Sequence, residues 1–512
     1  MSEQFFETPD GTIRVRTPGT RTRVTVRDRA SHRRGLDAAA GGGELERAIA
    51  EAGLEPHAVD LGLHAAPVDA EPGRMPLQRL DGSTEPLVQL DVPVPAEHGL
   101  VALTEDDNGV VQWHLPASPR RAAEKALRTG PQDADAAART VTFYVPAPVL
   151  PAGAEALDAG AVTRGLHFFR FPLVRELVGA AGEKVLTYLA REVESRLKKE
   201  GFKHFGGERH LAPVDWSAPE WERGGRALLL VHGIFSSVDG AFGGLLRDAE
   251  GRDTGLLPEL RAVYGERIVG YDHWTVAKTP LTNAMEMLGQ LPDGLELDVV
   301  CHSRGALVVR SLLEHPHLHQ AFNAKAEVRN AIFVAGANQG SALAHPANWE
   351  RLLNLFTLLS TLPGLPPQGV GVVRLIVEVV RVLAHGVAEM PSVAALAPDR
   401  PDRPNPFIRA LNSTPDAAVE QLCVVRAHFD RARHPLLAGL DLGIDFLFDG
   451  AANDLVVPFL GAGRFDPARS ASIVLGAVFG SDAEGQGEVF HTNLFHQPQV
   501  RDFIRDRLLD AR

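Results

Sequence analysis

A chain of 512 residues is roughly three to four times the usual domain size, so two or more domains are expected. Apolar residues at 45% and charged residues at 23% exclude wholesale disorder, and a net charge of −13 excludes a general binder of nucleic-acid backbone, which presents a positive surface. The two cysteines, Cys301 and Cys423, are too few for a disulfide framework or a Cys-based zinc site and fit a reducing compartment. The opening MSEQFFETPDGTIRVRTPG has neither a basic nor an apolar leader segment, so the cytoplasm is expected.

Residues 1–170 alternate short β-prone runs (TIRVRT, RVTVRD, PLVQLDVPV, LVALTE, VVQWHL, TVTFYVPA) with Gly, Pro and Asp punctuation. This predicts a β-rich accessory domain of small antiparallel sheets, with one helix in GELERAIAEAG. No nucleophile motif, phosphate loop or metal cluster stands out there. Residues 171–225 read as a helix and linker. Leu177, Val185, Leu189, Val193 and Leu197 recur at helical spacing over 174–200, and Gly- and Pro-rich irregular chain follows from Gly201 to Gly225.

From residue 226 to 512 the rhythm changes. ALLLVHG, RIVGYD, LDVVCH, AIFVAG, LCVVRAHF and ASIVLGAVFG are continuous apolar runs, mostly separated by helical stretches. Strands buried on both faces have this pattern, so a mostly parallel sheet in an α/β fold is predicted. The most apolar stretch, Gly369 to Val387, carries Arg374, Glu378, Arg381 and His385 at steps of four, three and four, which makes it an amphipathic helix rather than a bilayer span.

The sharpest local signal is LELDVVCHSRGALVVRSLLEH, in which an apolar strand reaches Ser303 and the chain enters a helix at once. A serine at such a turn sits in strained backbone with its hydroxyl above the sheet edge, and the helix N-terminus behind it favours negative charge. The usual spacing is GxSxG because the turn crowds the residues two before and two after the serine. Gly305 fits that need and Cys301 departs from it. Upstream, LLLVHGIFSS ends a strand in His232 and Gly233, so a backbone N–H of Ile234 or Phe235 is expected to join that of Arg304 as an oxyanion hole.

An acid and a histidine should follow in that order. FLFDGAANDLVVP offers Asp454, with Asp449 in reserve, and EVFHTNLFHQPQVRDFI offers His491, which lies nearer the last strand than His496. His491 would take the Ser303 proton and Asp454 would hold the imidazole, giving an acyl-serine that water then releases. EHPHLHQ brings together His315, His317 and His319 without Asp or Cys nearby, so no metal is expected, and no cofactor. Asp239 and Asp272 lie near strand ends, where they could touch the pocket, and nothing in the sequence distinguishes them from solvated loop carboxylates.

On VHGIFSS, YDHWTVAKTPLTNAMEML, CHSRGALVVR, VAGANQGSALA, NDLVVP and HTNLF, the chain from about Arg226 to Arg512 resembles the lipase-like α/β-hydrolases of bacteria. It is similar to the class of GPI-inositol-deacylase-like proteins and triacylglycerol lipases. The resemblance implies an α/β-hydrolase fold, a helical cap inserted at about 345–412, whose helices read equally well as packed on the sheet as core, and cleavage of small-molecule or lipid esters, with transient membrane-surface contact through the cap. A catalytically degenerate binding or scaffold protein, and an acyltransferase or amidase on the same triad, are the alternatives. No nucleic-acid partner is expected, and the sequence names no protein partner for the first domain.

Overall fold

Alternation of buried and partly exposed side chains is what makes the first part of the chain a set of antiparallel sheets. The computed structural model describes residues 5–9, 11–17, 22–27, 43–65, 87–106, 109–117, 138–148, 163–173, 182–222, 225–361, 371–385, 390–413, 419–434, 437, 448, 450–465 and 473–509. Two compact units emerge, the first made of Met1–Tyr188, Trp349–Leu365 and Val373–Glu389, the second of Leu189–Asn348, Pro366–Val372 and Met390–Arg512.

The first unit holds β1 (Phe5–Glu7), β2 (Arg14–Arg16), β3 (Thr22–Arg27), β4 (Glu55–Pro56), β5 (Asp60–Ala65), β6 (Leu87–Pro95), β7 (His98–Glu105), β8 (Val111–His114), β9 (Ala138–Pro146) and β10 (Thr163–Pro172). One sheet has the order β1-β2-β6-β9 and the other β3-β5-β10-β7-β8, with β4 beside β10. On β6 the side chains of Val88, Leu90, Val92 and Val94 are buried while Gln89, Asp91 and Pro93 between them are not fully covered, the period of two that a half-buried strand requires. These four valines and leucines join Ile13, Val15, Leu61, Leu63, Phe143 and Phe168 in one core.

Two helices expected as a cap group with this unit instead. Asn354, on the helix Trp349–Thr361, accepts the Trp113 N–H through Oδ1 at 2.6 Å and donates Nδ2 to the Trp113 carbonyl at 3.1 Å, so its amide acts as one residue of an added strand on β8. Glu350 accepts the Leu115 N–H at 3.0 Å. On the helix Val372–Ala384, Arg374 pairs with Glu51 at 2.9 Å and Arg381 with Glu378 at 2.7 Å, so the polar stripe is occupied by ion pairs. Among the described residues no helix is long and apolar enough to cross a membrane.

The second unit is built on β11 (Gly201–His204), β12 (Arg226–Val231), β13 (Ile268–Asp272), β14 (Leu295–His302), β15 (Ala326–Val334), β16 (Val419–Ala427) and β17 (Val474–Phe479). Their order is β11-β13-β12-β14-β15-β16-β17, parallel throughout except for β11, which runs antiparallel to β13. Leu229, Val231, Val299 and Cys301 face one buried cluster and Leu228, Leu230, Val300 and Ile332 the other. Both faces are covered, which is why the runs read as unbroken apolar sequence. This is the α/β-hydrolase fold.

Two expectations change in detail. The helix read over 174–200 spans Gly182–Leu197, and Leu177 lies outside the described residues. The stretch read as irregular linker opens with β11, which pairs Phe202 with Tyr271 and buries Phe202 against Trp216 and Tyr271. A four-residue edge strand set among glycines gives too short a pattern to separate from a loop.

Candidate active site

The strand β14 ends at His302 and the helix Gly305–Glu314 follows after only Ser303 and Arg304, leaving Ser303 to turn the chain. Its φ of 54° is left-handed, a conformation that costs a non-glycine residue of order 1–3 kcal/mol and persists only where the surroundings impose it. The imposing contact is at Gly305, where a Cβ would lie 2.2 Å from the Val231 carbonyl oxygen and 2.6 Å from that of His232. No side chain fits there. Cys301 meets no such limit, because its side chain points into the buried face of the sheet, with Sγ 3.7 Å from the Ile332 carbonyl. Burial pushes that thiol well above its ordinary pKa, which keeps it uncharged.

Ser303 Oγ lies 2.8 Å from His491 Nε2, and His491 Nδ1 lies 2.9 Å from Asp454 Oδ2. All three residues are buried. The second carboxylate oxygen of Asp454 accepts the N–H groups of Val456 at 3.0 Å and Val457 at 2.7 Å, and the Asp454 carbonyl accepts the His491 N–H at 3.0 Å. The carboxylate can only accept, so the proton of the neutral imidazole resides on Nδ1 and Nε2 offers its lone pair to the Ser303 hydroxyl. Asp449 lies outside the described residues. His496 sits in the short helical turn Leu494–His496, and burial lowers its pKa.

His302 packs its ring 4.8 Å from that of His491 and donates Nε2–H to the His491 carbonyl at 3.0 Å. Burial first, then the neighbouring His491, lowers its pKa to about 3, so it stays neutral and does not oppose a positive charge on His491.

On the other side of Ser303, a Cβ at Gly233 would lie 2.7 Å from the Ser303 Cβ, so the backbone after β12 presses directly on the serine. Of the two amides expected there, that of Phe235 is occupied: it donates to Thr275 Oγ1 at 3.2 Å, with Phe235 held at a left-handed φ of 53°. The amides of Ile234 and Arg304 meet no protein acceptor among the described residues. The Arg304 side chain is buried and donates Nη2 to the Lys278 carbonyl at 2.5 Å and to Asn283 Oδ1 at 2.8 Å. His232 is a support of the turn, with Nδ1 donating to the Gly233 carbonyl at 2.9 Å and Nε2 accepting the His273 N–H at 3.2 Å.

Asp239 is half-exposed and pairs with His210 at 3.0 Å, whereas Asp272 is buried and accepts the Val238 N–H at 2.8 Å, so Asp272 is not a solvated loop carboxylate. Two further residues escaped sequence reading. Glu194, at zero exposure on the last turn of the helix Gly182–Leu197, accepts the N–H groups of Thr275 at 2.6 Å, Val276 at 3.2 Å and Ala277 at 2.8 Å, and the Thr275 hydroxyl at 3.1 Å. Glu194 stands in no motif, and Thr275, although inside the segment YDHWTVAKTPLTNAMEML, carries no sequence signal of its own. The one available signal was a Glu beside Val193 on the apolar side of a helix.

A family model described as a domain of unknown function (DUF7379) matches residues 192–509, a span that takes in Glu194 as well as Ser303, Asp454 and His491. No curated protein matches the chain. Among solved structures, it is similar to a phospholipase from Legionella pneumophila at 14% identity and a TM-score of 0.32, over 55% of this chain and 60% of that one. It is similar to lipase 1 from Pelosinus fermentans at 14% identity and a TM-score of 0.35, over 56% of this chain and 98% of that one. A metagenomic carboxyl esterase gives 17% identity and a TM-score of 0.32, over 64% of this chain and 91% of that one.

Proposed function

From the premise that the chain belongs to the DUF7379 family, whose model spans most of it, we propose that it is a serine hydrolase of carboxylic esters, small or lipidic, acting through Ser303, His491 and Asp454. The observation that carries the proposal is the unbroken relay from Oγ to imidazole to carboxylate, at 2.8 and 2.9 Å. Its two steps have the polarity that a general base and its orienting acid require.

In this reading Ser303 Oγ attacks the ester carbonyl carbon while its proton passes to His491 Nε2. Asp454 stabilises the imidazolium and keeps it in register. The carbonyl oxygen, now negative, is met by the amides of Ile234 and Arg304, each such donor contributing about 2.7–4 kcal/mol to the transition state. His491 then protonates the departing alcohol, leaving acyl-Ser303. A water molecule enters, gives its proton to His491 and attacks the acyl carbon; the carboxylic acid leaves and Ser303 regains its proton. Both cysteines are unpaired, which supports a reducing, cytoplasmic setting for this chemistry.

The test is a fluorophosphonate probe with p-nitrophenyl esters as substrates. The wild type is expected to be labelled and to turn over, and Ser303→Ala to do neither. A wild type that stays unlabelled, or a label that survives Ser303→Ala, overturns the proposal.

A further inference from the structure

We propose that Glu194, Lys198 and Thr275 are positioning residues that set which amide reaches the oxyanion, an inference that rests on the ester-hydrolase reading above. The loop after β12 follows Gly233, which presses on Ser303, and offers two candidate amides, those of Ile234 and Phe235. Thr275 Oγ1 decides between them by accepting the Phe235 N–H at 3.2 Å, which leaves the Ile234 amide as the one without a protein acceptor.

The hydroxyl can serve as that acceptor because its own proton is engaged elsewhere, donated to Glu194 at 3.1 Å. Glu194 in turn holds three consecutive backbone N–H groups, of Thr275, Val276 and Ala277. One turn later on the same segment, Lys198 donates Nζ to the Ser236 carbonyl at 2.6 Å. The loop carrying Ile234 is therefore held at Phe235 by Thr275, which Glu194 fixes in turn, and at Ser236 by Lys198. A buried carboxylate that accepts this many donors has few alternative arrangements, and that rigidity is what an oxyanion site needs, since a donor must be in place before charge develops. Arg304, whose amide is the other donor, lies within the field of this carboxylate: burial lowers its guanidinium pKa to about 9, and the Glu194 charge opposes part of that shift.

The test compares Thr275→Val and Lys198→Met with the wild type in kcat, KM and inhibition by an alkylboronic acid, which forms a tetrahedral adduct on the serine. Losing a support rather than a donor should cost less than the 10²–10³-fold of a deleted donor, so kcat is expected to fall about 10-fold in each. KM should stay within about twofold, and boronate affinity should weaken by the same factor as kcat. The apparent pKa of the rate profile should not move, because His491 is untouched. Melting curves identify a variant that fails to fold, and Thr275→Cys, which keeps the shape and weakens both hydrogen bonds, then carries the same expectation. Unchanged kcat, or a change confined to KM, overturns the positioning role while leaving the hydrolase reading intact. A wild type that does not react with a fluorophosphonate overturns that reading, and this inference with it.

Discussion

Replacing Asp454 by Asn is the change that separates a working triad from a buried ion pair. The carboxylate accepts two backbone amides on Oδ1 and the His491 ring on Oδ2. An asparagine can keep both backbone bonds only by placing its carbonyl oxygen where Oδ1 stands, which turns the amide NH₂ toward His491. The imidazole must then accept at Nδ1, so its proton moves to Nε2 and the ring faces the Ser303 hydroxyl as a donor. The base is lost although every heavy atom stays in place. This wrong-tautomer effect is of order 10⁴ in kcat, or about 5 kcal/mol at the transition state. Stability should change far less, because two backbone bonds survive with a neutral acceptor in place of a charged one, a loss of about 1 kcal/mol each. The assay is p-nitrophenyl butyrate hydrolysis beside a denaturant melt. A kcat within tenfold of the wild type refutes the tautomer argument. A stability loss beyond about 4 kcal/mol would show that Asp454 serves the fold first.

Gly305→Ala sets a methyl group 2.2 Å from a backbone carbonyl and is expected to lower stability by about 3 kcal/mol, read by denaturant melt, with loss of the Ser303 turn and of labelling. Cys301→Gly restores the usual spacing but removes a buried side chain; the expected result is a loss of about 1–2 kcal/mol in stability with kcat within about threefold, since the thiol faces the sheet and not the turn. In the first unit, burial opposes a charged His167, yet Asp60 at 3.5 Å and Glu105 at 3.6 Å outweigh it and raise its pKa to about 9. A raised value means that the stabilisation is complete below the unfolded value of about 6.5 and disappears as pH climbs through 9. Amides of β10 should therefore lose about 2–3 kcal/mol of protection against hydrogen exchange between pH 6 and pH 10, and His167→Gln should flatten that dependence.

The parts of this molecule that could be read from the chain are those whose cause is local. Unbroken apolar runs mark β12, β14, β15 and β16 because a strand buried on both faces needs no polar position. A serine two residues before an obligatory glycine marks the turn. The chain order acid then histidine pointed to Asp454 and His491, side chains that the fold brings within 3 Å of a common path to Ser303. What could not be read has non-local causes. Whether Ile234 or Phe235 has its amide occupied depends on Thr275, some forty residues on, and Thr275 depends on Glu194, some eighty residues before it. The short β11 was hidden by the glycines around it, and the helix Trp349–Thr361 looked like a cap because nothing in its sequence says that Asn354 matches the free edge of β8.

That edge contact makes the first unit discontinuous along the chain, since two of its helices are encoded well over a hundred residues after its last strand. During synthesis, at some 5–20 residues per second, β8 would emerge many seconds before the side chain that completes it. Its Trp113 backbone groups wait in the meantime as an unfinished sheet border. Cutting the gene between the two halves would leave one fragment with that border open and the other with two orphaned amphipathic helices, so the N-terminal region cannot be treated as a detachable module.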